Sequence, residues 1–193
     1  MTGMTRATFA ELLAMPGVIE ECELRSRFGF MAYHGGALEA HTDVIARRAA
    51  ERSGASYYGV IQPESVQVHV PSTAVSPTHS ETLAGFIDHV DIVVTIHGFV
   101  RHPLPTSLLI GGQNRTLATH VTEYLRPALP GYIIVDDLDH IPAELRGVHR
   151  QNPVNLPRRT GVQIELPARI RGTADHAHSL IEALARATLA WPT

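Results

Sequence analysis

The sequence predicts an α/β fold: one domain spanning 1–193, with a mixed, mostly parallel sheet covered by helices on both faces. Three observations carry this. Apolar, β-branched runs alternate with amphipathic ones along the chain. The amphipathic runs place apolar residues at helical spacing on one face only. And 193 residues, 44% of them hydrophobic, are enough to bury one substantial core.

Taken in order, "FGFMAY" (28–33) is the first strong strand. "EAHTDVIARRAAERSG" follows as a helix, with Val44, Ile45, Ala46 and Ala49 on its core face, Arg47, Arg48 and Glu51 outside, and Gly54 as C-cap. "SYYGVI" (56–61) is the next strand. Between Ser80 and Val90 the residues Leu83, Phe86, Ile87 and Val90 repeat at i, i+3, i+4 and i+7, a core-facing stripe, and "DIVVTI" (91–96) follows at once as a strand. "SLLIGG" (107–112) precedes a helix marked by Leu117, Ala118, Val121 and Leu125. "GYIIVD" (131–136) and "GVQIEL" (161–166) complete the strands, and Leu180, Ile181 and Leu184 mark the last helix. Residues 63–79 and 136–159 lack periodicity and are rich in Pro, Asn, His and Arg. Loops that long in a compact domain are usually functional.

The formal net charge is −3, with no basic block interleaved with aromatics, so no nucleic-acid partner is expected. All 16 basic residues are arginine, which removes a phosphate-loop lysine, a Schiff-base lysine and a serine–lysine dyad from consideration. Residues 1–100 hold 6 Arg against 11 Asp and Glu, and residues 101–193 hold 10 against 8. An anionic ligand would therefore find its guanidinium partners mostly in the second half. Cys22 has no second cysteine to pair with. The expected setting is cytoplasmic, with release by lysis as the alternative. No signal peptide is read in the first residues, and no segment approaches the roughly 20 apolar residues of a membrane span.

In open α/β sheets ligands gather beyond the carboxyl ends of the strands. His34 closes the first strong strand and His97 closes "DIVVTI". Gly35 and Gly36 let the chain turn after His34, and Glu39 follows at the mouth of the next helix, where the helix dipole favours its carboxylate. Two imidazoles and a carboxylate are the protein ligands of a common catalytic zinc arrangement, so His34, Glu39 and His97 are candidate Zn2+ ligands. The competing reading is a strand-ending histidine that bonds a loop. His41 is either a supporting partner or an exposed imidazole; His69, His102, His120, His140, His149, His176 and His178 fall in loops or on helix surfaces.

Glu165 interrupts a buried-looking strand, and a carboxylate there must be paired, protonated or catalytic. Alternatively, residues 163 and 165 face solvent on an edge strand. Asn114 and Arg115 follow a strand and a glycine pair where a helix begins; Arg115 is either a clamp for a carboxylate or oxyanion, or an ordinary first-turn charge. "QNPVNLPRR" offers Asn152, Asn155, Arg158 and Arg159, either as anion contacts or as turn-forming and solvated residues.

Together "HGGALEAHT", "VHVPST", "TIHGF", "LIGGQNR", "NPVNLPRRTGVQIELP" and "RIR", in that order, resemble the poly-γ-glutamate hydrolase family over about residues 28–171. The resemblance implies a zinc-carboxypeptidase-like fold with one catalytic zinc that hydrolyses γ-glutamyl amide bonds. It implies His34, Glu39 and His97 as zinc ligands, Glu165 as general base and Arg115 as a carboxylate-binding residue. The chain departs from the family's pattern at His41, where the pattern has glycine, and at Ala74 and Val75, where it has histidine and an aromatic.

The expected function is thus zinc-dependent cleavage of γ-glutamyl amides in an anionic polymer or peptide. Glu165 and Arg115 are the catalytic residues; Asn114, Arg115, Asn155, Arg158 and Arg159 are the substrate contacts. Other glutamyl amides, such as N-acyl glutamate or the peptidoglycan stem linkage, share that pocket in outline. A non-catalytic binding protein that keeps the fold is the rival from another class; such a descendant often loses a ligand, and here the set is complete.

Overall fold

The structure, a computed structural model, describes residues 7–100 and 104–192. His102, among the loop histidines of the sequence, lies outside them.

Seven strands form one sheet in the order β1-β3-β2-β4-β7-β5-β6. They are β1 (Ile19–Glu23), β2 (Phe28–Gly36), β3 (Ser56–Gln62), β4 (Ile92–Phe99), β5 (Ser107–Gly111), β6 (Ile133–Val135) and β7 (Gly161–Pro167). The central strands β3, β2, β4 and β7 run parallel, and β5 pairs with β6 in parallel. β1 against β3 and β5 against β7 are antiparallel, which makes the sheet mixed as the sequence predicts.

Side chains alternate across the strands and so build two cores. Phe30, Tyr57, Val94, Leu108 and Ile164 pack on one face, under α2 (Thr42–Ser53), α4 (Arg115–Ala128) and α6 (Ala174–Ala190). Met31, Tyr33, Tyr58 and Val93 pack on the other, under α1 (Phe9–Leu13) and α3 (Glu81–His89). A short helix α5 (Ala168–Arg171) follows β7. Ile45, Ala46 and Ala49 are buried as expected of α2, but Val44 is 37% exposed. The helix begins at Thr42, later than its periodicity indicates, and Val44 falls outside the face that Ile45, Ala46, Ala49 and Ala50 bury. Gly54 caps that helix in the left-handed conformation.

β1 has no counterpart in the predicted elements. Its sequence "IEECE" carries three glutamates on an edge strand, so neither apolar alternation nor a β-branched run announces it. β7 is an interior strand, so Gln163 and Glu165 are buried, not solvent-facing. No helix among the described residues is long and apolar enough to cross a membrane.

Candidate metal centre

At the carboxyl end of the parallel strands, β2 carries one more residue than β3 between Ala32 and Gly35, whose partners are Gly59 and Ile61. This bulge breaks the alternation at His34, and its ring comes to rest 5.0 Å from the ring of His97 on β4. After Gly36, which adopts a φ of 71°, the chain turns back so that the Glu39 amide donates to the His34 carbonyl at 3.0 Å. A Cβ on Gly36 would stand 2.2 Å from the Gln62 carbonyl oxygen, so that turn requires glycine. Because α2 starts only at Thr42, Glu39 lies in this turn and not at a helix mouth. The Gly98 amide donates to Glu39 Oε2 at 2.8 Å and fixes the carboxylate.

His34 Nδ1 is 3.0 Å from Glu39 Oε1, and His97 Nδ1 is 3.3 Å from Glu39 Oε2. The far nitrogens face outward: His34 Nε2 meets the Val70 carbonyl at 2.8 Å and His97 Nε2 meets the Tyr33 hydroxyl at 2.9 Å. A carbonyl only accepts, so His34 Nε2 carries a proton, and Nδ1 is the nitrogen that turns toward Glu39 and could ligate a metal. The two Nδ1 atoms thus flank the Glu39 carboxylate, one at each oxygen. One ligand atom from each residue lies within 4.8 Å of the others, which fits a metal held by Nδ1 of both rings and by Glu39. Burial alone would raise the Glu39 carboxyl, but the charges and hydrogen bonds of His97 and His34 outweigh it and hold it well below the carboxylate range. For His97 burial acts downward, and the Glu39 carboxylate more than offsets it, so the imidazole is raised.

Glu165 stands opposite His97 in the register of β4 and β7, as Gln163 stands opposite Thr95. It is 4% exposed, and burial pushes its carboxyl up to about 7, with His97 pulling it down and Glu39 adding to the rise. Both groups border an open cleft of about 850 Å³. The two long loops form the cleft's walls: Pro71, Ser72 and Thr73 on one side, and the strap 143–150 with Asn152 on the other. His69, which the sequence places in an ordinary loop, also borders the cleft, with its ring 4.7 Å from that of His34.

The remaining predicted residues do not reach the cleft. The Arg115 guanidinium donates to the carbonyls of Gly112 at 3.2 Å and Ile110 at 3.1 Å, and to that of Asp136, so it ties the start of α4 to β5 and β6. Asn114 caps α4 by accepting from the Leu117 amide, and donates to the Arg159 carbonyl. Arg158 pairs with Asp91 at 3.5 Å, and the Arg159 guanidinium lies 5.6 Å from the Trp191 ring centre. Asn155 is buried; it donates to the Gly147 and His149 carbonyls and accepts from the Gln113 amide, and so anchors the strap. Among the described residues Arg150 is the arginine that borders the cleft. Arg171, in the "RIR" stretch, packs behind the site: a Cβ on Gly98 would meet its Cζ at 2.6 Å, and its Nη1 donates to the Ala40 carbonyl. Nothing in the spacing of the sequence separates Arg150 from the other arginines. For Gln163 there was a signal, since it shares a strand face with Glu165.

A two-histidine, one-carboxylate cluster that could hold a metal, on the carboxyl edge of a mostly parallel sheet beside a buried glutamate and an open cleft, defines a hydrolase of the α/β class. Within that class the chain belongs to the poly-gamma-glutamate hydrolase family, whose model matches residues 8–182. The fold is similar to that of a bacteriophage poly-gamma-glutamate hydrolase, at 22% identity and a TM-score of 0.70 over 89% of this chain and 91% of that one. It is also similar to zinc-free apo YNDL, at 20% identity and a TM-score of 0.74 over 88% of each chain. A more distant likeness is to N-acetylmuramoyl-L-alanine amidase from Clostridium difficile 630, at 12% identity and a TM-score of 0.51 over 86% of this chain and 96% of that one. No curated protein matches the sequence.

Proposed function

We propose that the protein hydrolyses γ-glutamyl amide bonds, in poly-γ-glutamate or γ-glutamyl peptides, with zinc held by His34, Glu39 and His97 and with Glu165 as general base. The observation that carries this reading is the register pair: a buried glutamate directly across from a candidate ligand histidine, at the floor of an open cleft. Zinc in such a site supplies a polarised carbonyl and an acidified water. Glu165, with its carboxyl pushed up to about 7 by burial, is suited both to take the proton of the attacking water and to return it to the departing amine.

The cleft, at about 850 Å³, has room for a glutamyl segment. The exposed guanidinium of Arg150 at its border suits the carboxylates of a glutamyl polymer, whereas Arg115, Arg158 and Arg159 are engaged elsewhere. Glu165→Gln tests the assignment, because it keeps the shape and removes the base. The expected outcome is full zinc content with kcat on poly-γ-glutamate reduced at least ~100-fold. Wild-type turnover by that variant would remove Glu165 from the mechanism.

A further inference from the structure

His97 and Glu165 are joined a second time, through buried side chains at the base of the cleft. Tyr33 Oη lies 2.9 Å from His97 Nε2 and 3.2 Å from Asn152 Oδ1. Asn152 Nδ2 is 2.9 Å from Gln163 Oε1, and Gln163 Nε2 is 2.8 Å from Glu165 Oε1. Tyr33, Asn152 and Gln163 are buried. Gly147 comes so close to Gln163 that a Cβ there would stand 2.7 Å from its Cδ, which confines the amide from the strap side.

The chemistry of each link sets its direction. An ionised Glu165 only accepts, so Gln163 presents its NH2 to it and turns its carbonyl to Asn152. Asn152 must then donate to Gln163 and offer Oδ1 to Tyr33. A separate contact demands the same orientation, because the Val154 amide donates to Asn152 Oδ1 at 3.2 Å. Tyr33 thus donates to Asn152 and accepts from His97 Nε2–H, so that in the neutral ring the lone pair lies on Nδ1, the nitrogen on the side of Glu39.

We propose that Tyr33, Asn152 and Gln163 are positioning residues: a one-way hydrogen-bond chain, oriented by Asn152, that sets the His97 tautomer and the Glu165 carboxylate together. The chain rests on His97 as ligand and Glu165 as base, the roles argued above. It couples the residue that holds the metal to the residue that moves the proton, without either touching the other's partner. The strap segment that carries Asn152 is therefore part of the site's alignment as well as a wall of the cleft.

Three variants of the full chain test it. Gln163→Met removes the donor to Glu165 at similar volume; with zinc bound, kcat falls at least ~10-fold while KM stays within about twofold. Tyr33→Phe removes the acceptor for His97, and its zinc affinity, measured by competition with a chromophoric chelator, falls about 10- to 100-fold. Asn152→Asp still accepts from Tyr33 and Val154 but cannot donate to Gln163; it lowers kcat as Gln163→Met does, and the double variant is no worse than either alone, since the chain is already broken. Circular dichroism confirms that each is folded, and if Asn152→Asp does not fold the other two carry the test.

Wild-type kcat in zinc-loaded Gln163→Met, or wild-type zinc affinity in Tyr33→Phe, overturns the chain. A rise in KM alone also overturns it, since that marks direct substrate contacts. The outcomes separate from those of the proposed function. Activity in Glu165→Gln defeats the base, whereas an inactive Glu165→Gln beside a fully active Gln163→Met defeats only the chain. If poly-γ-glutamate is not cleaved at all, the zinc competition with Tyr33→Phe still decides it.

Discussion

At the residue scale, Glu165 is where structure and chemistry conflict most. Its burial favours the neutral acid, so a carboxyl ordinarily near 4.5 titrates near 7 in the folded, metal-free protein. A group whose folded pKa is raised contributes stability that is complete below the unfolded value and is lost as pH rises through the folded one. Metal-free wild type should therefore lose stability between about pH 4.5 and pH 7, by an amount on the order of 3 kcal/mol, relative to Glu165→Gln. Urea unfolding of both proteins at pH 4 and pH 8, in chelator, measures the difference; an equal gap at both pH values would contradict the assignment. The candidate ligands give a separate expectation. His34→Ala and His97→Ala should each reduce bound zinc to a small fraction of the wild-type content after gel filtration, and undiminished content would take that residue out of the set.

At the scale of elements, the bulge in β2 and the turn through Gly36 bring two histidines and a carboxylate together. Gly36→Ala combines a positive φ with a Cβ that would stand 2.2 Å from the Gln62 carbonyl. It should cost about 2–4 kcal/mol of stability and reduce zinc affinity as Glu39 is displaced, measured by thermal melting and by metal titration. A melt unchanged within about 1 °C would mean that the turn is not strained in this way. Much of this was legible in the sequence. Strand-ending histidines, the glycine pair and a glutamate within an apolar strand are local signals, and periodicity placed the central strands and the helices α3, α4 and α6. What was not legible depends on side chains meeting across distance. Arg115 has the position of a substrate clamp, but nearby carbonyls of β5 and the Asp136 loop engage it, and sequence spacing does not show which acceptors the fold will supply. Asn152 reads as a turn former, and so it is, yet its amide also links two strands. β1 was missed because an exposed edge carries charges in place of an apolar pattern. His41, at a φ of 69° ahead of α2, stands where the family's pattern has glycine, a residue that adopts that conformation without strain.

At the scale of the molecule, the site is a closure device. His34, Glu39 and His97 come from β2, the turn after it and β4, and the cleft walls are two long loops that lack regular strands or long helices of their own. A cation that binds only the folded chain stabilises it by mass action, about 4 kcal/mol at a free concentration 1,000-fold above Kd. Chelation should accordingly lower the melting temperature by several degrees and zinc should restore it. The most direct test of the whole account is elemental analysis of the purified protein, paired with cleavage of poly-γ-glutamate before and after chelation. The account predicts about one zinc per chain and cleavage that stops on chelation and returns with zinc. A protein without bound metal that cleaves the polymer equally well in chelator would contradict it.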